Sequence, residues 1–410
     1  MDKLVVALDA GSTRVRALVV GQENGQDPEI LGHGFVESNG ITRSTVVDME
    51  AATRAIRSAV ERAGDNSQTR IQAVTANLGG QHLATQPSDG AVPVSNMEVS
   101  REDVERVHDA ARAIQLPPGQ GVVEVVSRQY LIDGQAGIRV PVGMSGVRLA
   151  AEVTLVTGSD ATAHNFRRCI AGAGVECDRL VPSALAAATA CLSDADKELG
   201  VCLVDIGGGS TDIAVFKEGS LQYLAVLPVG GQHLTNDLAV AAHINFADAE
   251  SIKCQYGTAY LDPEIDGERM EETIPVRRID GVEAADWSRR LVVDYTQPRV
   301  REILELVGEQ IALSGLADVL GAGVVLTGGT ARLERIAPLA KSILGLPVRL
   351  GQVHGMQGDK KFLGDPGMAV LAGLAIHACH SDGVSKRTRP QGTSGIKSLK
   401  TGLQRLFKQF

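Results

Sequence analysis

Val204-Asp205-Ile206-Gly207-Gly208-Gly209-Ser210-Thr211-Asp212-Ile213-Ala214-Val215-Phe216 reads as strand, tight turn, strand: apolar residues lead in, three glycines interrupt, and apolar residues alternate out. Consecutive glycines let the backbone take positive φ and bring bare N–H groups close to an anion. Ser210 and Thr211 add hydroxyl donors, and Asp205 and Asp212 set a carboxylate at each end of the turn. Amides suit phosphate oxygens and carboxylates suit the water shell of a divalent cation, so the stretch fits a phosphate chain that carries one. Taken alone, it also fits an ordinary glycine-rich hairpin.

Leu4-Val5-Val6-Ala7-Leu8-Asp9-Ala10-Gly11-Ser12-Thr13-Arg14-Val15-Arg16-Ala17-Leu18-Val19-Val20 repeats the plan near the N-terminus. An apolar strand ends in Asp-x-Gly, Ser-Thr follows, and an alternating strand leaves. Two such hairpins imply two similarly built halves that grip one phosphate tail between them. A third element, Val324-Val325-Leu326-Thr327-Gly328-Gly329-Thr330-Ala331, reads as a buried strand running into a Gly-Gly turn and then a helix. Paired glycines let a nucleoside lie against the backbone, and a helix N-terminus favours phosphate.

This ordered set resembles the actin, Hsp70 and sugar-kinase superfamily. The resemblance sharpens to the FtsA family of bacterial cell-division proteins. It does so through Pro141-Val142-Gly143-Met144-Ser145-Gly146-Val147-Arg148-Leu149, Glu198-Leu199-Gly200-Val201-Cys202-Leu203-Val204-Asp205-Ile206-Gly207-Gly208-Gly209 and Ala249-Glu250-Ser251-Ile252-Lys253. The ending Gly402-Leu403-Gln404-Arg405-Leu406-Phe407-Lys408-Gln409-Phe410 is similar in style. The implied fold class is α/β: an actin-like two-domain fold with duplicated phosphate-binding hairpins, an inserted α+β subdomain (1C) and a C-terminal amphipathic helix. The implied ligand is ATP with magnesium. Gly11, Ser12 and Thr13 would take its phosphates together with Gly207, Gly208, Gly209, Ser210 and Thr211, with Arg14 as a cationic contact. Asp9 and Asp205 would hold the magnesium through waters, and Gly328, Gly329 and Thr330 would face the nucleoside. Glu250 and Lys253 share a helical face, and as a bare pair they read as a surface contact. The resemblance promotes them to neighbours of the ribose and base.

At 410 residues the chain suits two to four subdomains. Its 44% hydrophobic and 22% charged content is that of a globular protein, while 3% aromatics and a net charge of −9 argue against nucleic acid. Six cysteines without metal-ligand spacing read as mostly buried, reduced thiols. No basic leader with an apolar core opens the chain, so no signal peptide is expected, and no apolar run has the length of a membrane span. None of the nine histidines falls in a catalytic motif.

The expected order places domain 1A at residues 1–82, 164–182 and 358–380, with 1C inserted at 83–163. Domain 2A takes 183–242 and 313–357, and a small lobe, 2B, takes 243–312. Helices are expected over 49–63, 101–114, 160–173, 180–192 and 294–315, and Gln86-Pro87-Ser88-Asp89-Gly90 reads as a turn-rich boundary. The alanine-rich helix over 180–192 would bridge the two halves, where small residues permit close approach.

Residues 381–395 read as a flexible linker rich in Ser, Gly, Thr, Lys and Arg. Beyond it, Ile396, Leu399, Leu403, Leu406, Phe407 and Phe410 share one helical face, and Lys397, Lys400, Arg405 and Lys408 lie mostly on the other. That is the pattern of an interfacial amphipathic helix. Residues 381–410 carry net +6 and leave −15 on residues 1–380, an arrangement oriented toward anionic lipid. Each base near such a surface adds about 1 kcal/mol. Ordering a residue costs about 1–2 kcal/mol, so one tail is marginal and several together, as in a polymer, hold by avidity. A tail packed on the body or on a partner is the alternative.

The resemblance implies an ATP-binding protein that polymerises with itself and tethers the ring protein FtsZ, through its C-terminal peptide on 2B, to the inner face of the membrane at the division site. Other division proteins are further implied partners. A soluble kinase or phosphatase, or a pilus-assembly scaffold of related fold, is the rival reading. An enzyme needs a carboxylate or amide to activate water. The matching region Leu180-Val181-Pro182-Ser183-Ala184-Leu185-Ala186 has neither, which predicts slow hydrolysis.

Overall fold

The computed structural model describes residues 3–23, 25–276, 278–279, 285–380 and 389–390. Two five-stranded sheets share one plan. In the first, strand Lys3–Ala10 pairs antiparallel with Arg14–Gln22, which pairs antiparallel with Glu29–Glu37. On its other side Lys3–Ala10 runs parallel to Ala73–Leu78, which runs parallel to Glu176–Pro182. In the second, Val201–Ile206 pairs antiparallel with Thr211–Lys217 and that strand with Ser220–Leu227, while Val324–Thr327 and Val348–Leu350 continue in parallel. Both central strands are buried along almost their whole length, as strands covered on both faces must be.

Helices Ser183–Cys191 and Ala369–His380 pack together in a core that also takes Leu203, Ala214 and Phe216 from the second sheet and Leu8 and Leu18 from the first. Their approach is close because both are built of small residues. A Cβ on Gly373 would stand 1.7 Å from the Ala186 carbonyl oxygen. The helix expected over 180–192 starts only at Ser183, because residues 180–182 finish the strand Glu176–Pro182 beside Asn77 and Leu78.

A four-stranded antiparallel sheet, ordered Gln135–Ile138, Gln120–Ile132, Arg148–Ser159, Ala84–Pro93, is inserted into the first half, with helix Arg101–Arg112 packed on it. Here the turn expected at 86–90 is corrected: those residues lie inside the strand Ala84–Pro93. It is an edge strand, where proline is tolerated, and Pro87 sits opposite Thr154. Gly90 serves packing rather than turning, since a Cβ there would meet the Val107 carbonyl of the covering helix at 2.4 Å. The inserted sheet touches both halves. Arg179 of the first sheet holds Glu124 through two 2.8 Å bonds, and Thr154 Oγ1 donates to Leu221 O of the second at 2.8 Å.

Helix Arg289–Leu313 begins five residues before the expected 294, because Ser288 caps it by accepting from the Leu291 N–H. It helps cover a small lobe whose core holds Leu238, Ala249, Ile274, Val276 and Val292. Four of the cysteines are buried, but Cys177 is half-buried and Cys254 is exposed. Among the described residues no helix is long and apolar enough to cross a membrane. The expected linker and amphipathic helix, including Ile396, Leu399, Leu403, Arg405, Leu406, Phe407 and Phe410, lie outside the described residues apart from 389–390.

Replacing Gly373 by Val overpacks the helix crossing and should cost roughly 1–3 kcal/mol, read as a lowered midpoint in thermal unfolding. An unchanged midpoint would show that the crossing is not tight.

Candidate functional site

The two glycine hairpins close in the same way. Gly11 N–H donates to Arg14 O at 3.0 Å in the first, and Gly207 N–H to Ser210 O at 2.9 Å in the second. Strand register then fixes what stands behind each turn: Asp9 lies opposite Arg16, and Asp205 lies opposite Asp212. The matching position holds a base in one hairpin and an acid in the other. Asp9, Asp205 and Asp212 are all buried, and Arg16 reaches Asp9 Oδ2 at 3.3 Å.

Burial raises the pKa of all three carboxyls above the ordinary range. Asp205 is pushed up further by Asp212 and Asp9, while Arg16 opposes the rise at Asp9. Asp212 is pushed up to about 7 by burial, although Ser210 Oγ donates to its Oδ2 at 3.2 Å. Its Oδ1 is buried with no hydrogen-bond partner among the described residues. An unpaired oxygen in a cluster of surplus negative charge is suited to a cation's water shell. Among the described residues no group of three or more His, Cys, Asp or Glu side chains is placed to hold a metal ion directly.

The turns of the two hairpins meet. A Cβ on Gly208 would lie 2.0 Å from Thr13 Oγ1, and one on Gly209 would lie 2.5 Å from Ser12 Oγ. Gln232 Nε2 donates to Ser12 O at 3.3 Å, and the Ser44 and Ser210 hydroxyls are 3.0 Å apart. Ser44 and Arg43 form the turn between Ile41–Thr42 and Thr45–Val46, both at positive φ (59° and 50°), a strained conformation for non-glycine residues. Arg14 is exposed and opens its strand opposite Glu37.

The Gly-Gly turn closes the same cleft. Gly328 needs its φ of +92° and its missing side chain, because a Cβ would stand 2.2 Å from Asp205 Oδ1. Thr330 Oγ1 donates to Gly207 O at 2.9 Å, and Gly329 is exposed. The helix expected after Gly329 is corrected to a four-residue 3-10 turn, Gly329–Arg332, with an α-helix only from Ile336–Leu344. Gly328 N–H and Thr327 Oγ1 are both held by Pro366 O, which leaves the chain turning tightly rather than coiling onward. Lys253 Nζ donates to Gly231 O (3.1 Å), Thr235 Oγ1 (2.9 Å) and Glu250 Oε2 (2.7 Å). Burial works to lift Glu250, but the Lys253 ammonium together with hydrogen bonds from Lys253, Thr235 and Cys254 holds the carboxyl below the ordinary range. The pair is thus tied to the N-terminus of helix Gly231–Ala242, beside Gly207 and Thr330.

Arg16, Ser44, Gln232 and Asn77 were absent from the residues expected at the site. Arg16 could have been found by counting strand register back from the first turn, while Asp212, expected as a turn carboxylate, stands directly opposite Asp205. Asn77 accepts from Ala10 N–H at 2.8 Å and donates to Ser183 Oγ at 3.3 Å, contacts that only the parallel strand brings about.

Two sheets of identical strand order, whose matching hairpins meet at a buried acidic cleft, define an actin-like two-domain protein. Solved structures agree on the fold. The "PilM-PilN type IV pilus biogenesis complex" superposes with a TM-score of 0.63 at 17% identity, covering 91% of this chain and 98% of that one. MreB5 of Spiroplasma citri bound to ADP gives 0.53 at 16% identity, covering 91% and 95%. A family model for "Cell division protein FtsA" matches residues 202–373, and one for the "SHS2 domain inserted in FTSA" matches residues 80–157. The cell division protein FtsA of Pseudomonas aeruginosa is 36% identical over 98% of this chain and 96% of its own length. Those of Escherichia coli K12 and Bacillus subtilis are each 34% identical, over 99% and 94% of this chain and 98% and 86% of their own lengths. The chain belongs to the FtsA family of cell-division proteins.

The cluster makes stability depend on pH. A carboxyl raised to about 7 holds its proton in the folded state where the unfolded chain has lost it, so stability falls as pH rises from about 4 to about 7. Melting of the nucleotide-free protein should therefore drop between pH 5 and pH 8 (roughly that window), and Asp212→Asn should flatten the slope. A parallel slope in the variant would contradict the assignment. Gly208→Asp adds bulk at the hairpin contact and a further negative charge. Calorimetric titration should show ATP affinity reduced at least about 100-fold, ~2.7 kcal/mol, with an unchanged circular dichroism spectrum. Wild-type affinity would remove the phosphate-loop assignment.

Proposed function

We propose that this member of the FtsA family binds ATP with magnesium in the cleft, assembles into homopolymers and tethers the FtsZ ring to the cytoplasmic face of the inner membrane through residues 396–410. The observation that carries the reading is the acidic cluster behind two touching glycine turns. Gly11, Ser12, Thr13 and residues 207–211 would hold the phosphates, with Arg14 able to swing in from its exposed position. Asp9 and Asp205, together with Asp212, would hold magnesium through waters. Gly328, Gly329 and Thr330 would lie along the nucleoside, with Lys253 and Glu250 beside the ribose and base. A bound MgATP supplies the cation that the three carboxyls lack, and in doing so clamps the two halves.

Hydrolysis should be slow. Asn77, the buried amide behind the first hairpin, already has Ala10 N–H on its carbonyl and Ser183 Oγ on its amide nitrogen. Both bonds hold it to the turn and the bridging helix. ATP then acts chiefly as a structural and polymerisation ligand, which favours the scaffold over a kinase or phosphatase. Residues 243–312 would serve as the 2B lobe that receives the FtsZ C-terminal peptide, and 83–163 as 1C. The basic, acid-free sequence of residues 396–410 supports attachment to anionic lipid.

Co-sedimentation with anionic liposomes and ATP tests the tether. The full chain should pellet, and a chain ending at Ser394 should stay in the supernatant. If the full chain also stays in the supernatant, the tether reading fails.

A further inference from the structure

The turn between Ile41–Thr42 and Thr45–Val46 comes from outside both glycine hairpins, yet it stands where they meet. Ser44 N–H donates to Ser12 Oγ at 3.2 Å, and the Ser44 hydroxyl lies 3.0 Å from the Ser210 hydroxyl. One residue thus touches a hydroxyl of each hairpin. A Cβ on Gly209 would lie 2.9 Å from the Arg43 backbone nitrogen, and one on Gly79 would lie 2.8 Å from Ser44 Cβ, so the turn is wedged between two glycines. Its base is anchored as well: Ile41 pairs with Val46, and Gly40 O accepts from the Val47 and Asp48 N–H groups.

Arg43 and Ser44 both hold left-handed φ with no glycine or asparagine to ease it. Such strain persists only where surrounding contacts impose it, and it gathers at ligand clamps. Charge is a second, independent observation. Arg16 faces the buried carboxyls, but its guanidinium is already taken by Asp9 and the Gly367 carbonyl. Lys253, at the other end of the cleft, is taken by Glu250, Thr235 and Gly231. Arg43 is exposed, and its side chain has no hydrogen bond or ion pair among the described residues. A turn pinned to both hairpins therefore carries an uncommitted guanidinium beside a hydroxyl. A terminal phosphate, doubly charged and rich in acceptor oxygens, is the group that such a pair fits.

We propose that Arg43 and Ser44 form the subsite for the terminal phosphate of a nucleoside triphosphate, and so set a preference for triphosphate over diphosphate. The guanidinium pairs with the phosphate oxygens, and the Ser44 hydroxyl donates to them from between the two hairpins. This rests on the reading of the cleft as a nucleotide site.

Calorimetric titration of the full chain with MgATP and with MgADP is the test. The wild type should bind MgATP more tightly. Arg43→Ala should weaken MgATP about tenfold, the order of one charge-assisted hydrogen bond, and leave MgADP unchanged. Arg43→Lys keeps the charge without the planar fork and should recover part of the loss. Ser44→Gly removes the hydroxyl while easing the left-handed φ, so MgATP affinity should fall severalfold as the unfolding midpoint holds or rises. Equal wild-type affinity for the two nucleotides, equal weakening of both in Arg43→Ala, or an unchanged MgATP affinity in that variant overturns the proposal and leaves the nucleotide site standing. A wild type that binds neither nucleotide sinks the nucleotide reading, and the proposal with it.

Discussion

The structure depends on a charge imbalance fixed by strand register. Each hairpin places one residue opposite its aspartate, and those residues are Arg16 in the first half and Asp212 in the second. Three buried carboxyls therefore face one guanidinium. Taking a carboxylate out of water costs several kcal/mol unless it is paired, and the protein meets that cost by raising the carboxyl pKa values rather than by adding a base. The rest of the cleft is arranged to keep this cluster closed: Gly208 and Gly209 against Thr13 and Ser12, Gln232 across to Ser12, and Gly328 fitted over Asp205.

The two halves are joined by packing of a different kind. Helices Ser183–Cys191 and Ala369–His380 cross at Ala186 and Gly373 with almost no side chain between their backbones. The inserted sheet adds a second bridge, with Glu124 held by Arg179 of the first sheet and Thr154 bonded to Leu221 of the second. Leu221 lies on the strand paired with Thr211–Lys217, which begins at the second glycine turn, so one strand pairing and one buried hydroxyl connect that turn to the inserted domain.

Local features were legible in the sequence and long-range ones were not. The two hairpins and the Gly-Gly turn announce themselves because glycine spacing and apolar strands are properties of a dozen consecutive residues. Their order carries the resemblance to the actin, Hsp70 and sugar-kinase superfamily, and residues 141–149, 198–209 and 249–253 carry the resemblance to FtsA. The Pro87 segment reads as a turn but is a strand, because its pairing partners lie sixty or more residues onward, and an edge position excuses its proline. The helix expected after the Gly-Gly turn starts only at Ile336, because the Pro366 carbonyl holds the turn from far along the chain. Ser44 and Asn77 reach the site only through tertiary contacts, and no spacing rule points to either. Asp212 was legible as a turn carboxylate, and Arg16 was within reach, since the turn length sets which residue faces each aspartate.

The central claim is that the acidic cluster behind the hairpins binds the cation that accompanies a nucleotide. Its most direct test is ATP affinity measured across a magnesium titration in the wild type and in Asp205→Asn. The account predicts that wild-type affinity rises steeply with magnesium and that the variant loses most of this dependence while keeping its fold. The same magnesium dependence in both proteins would contradict it.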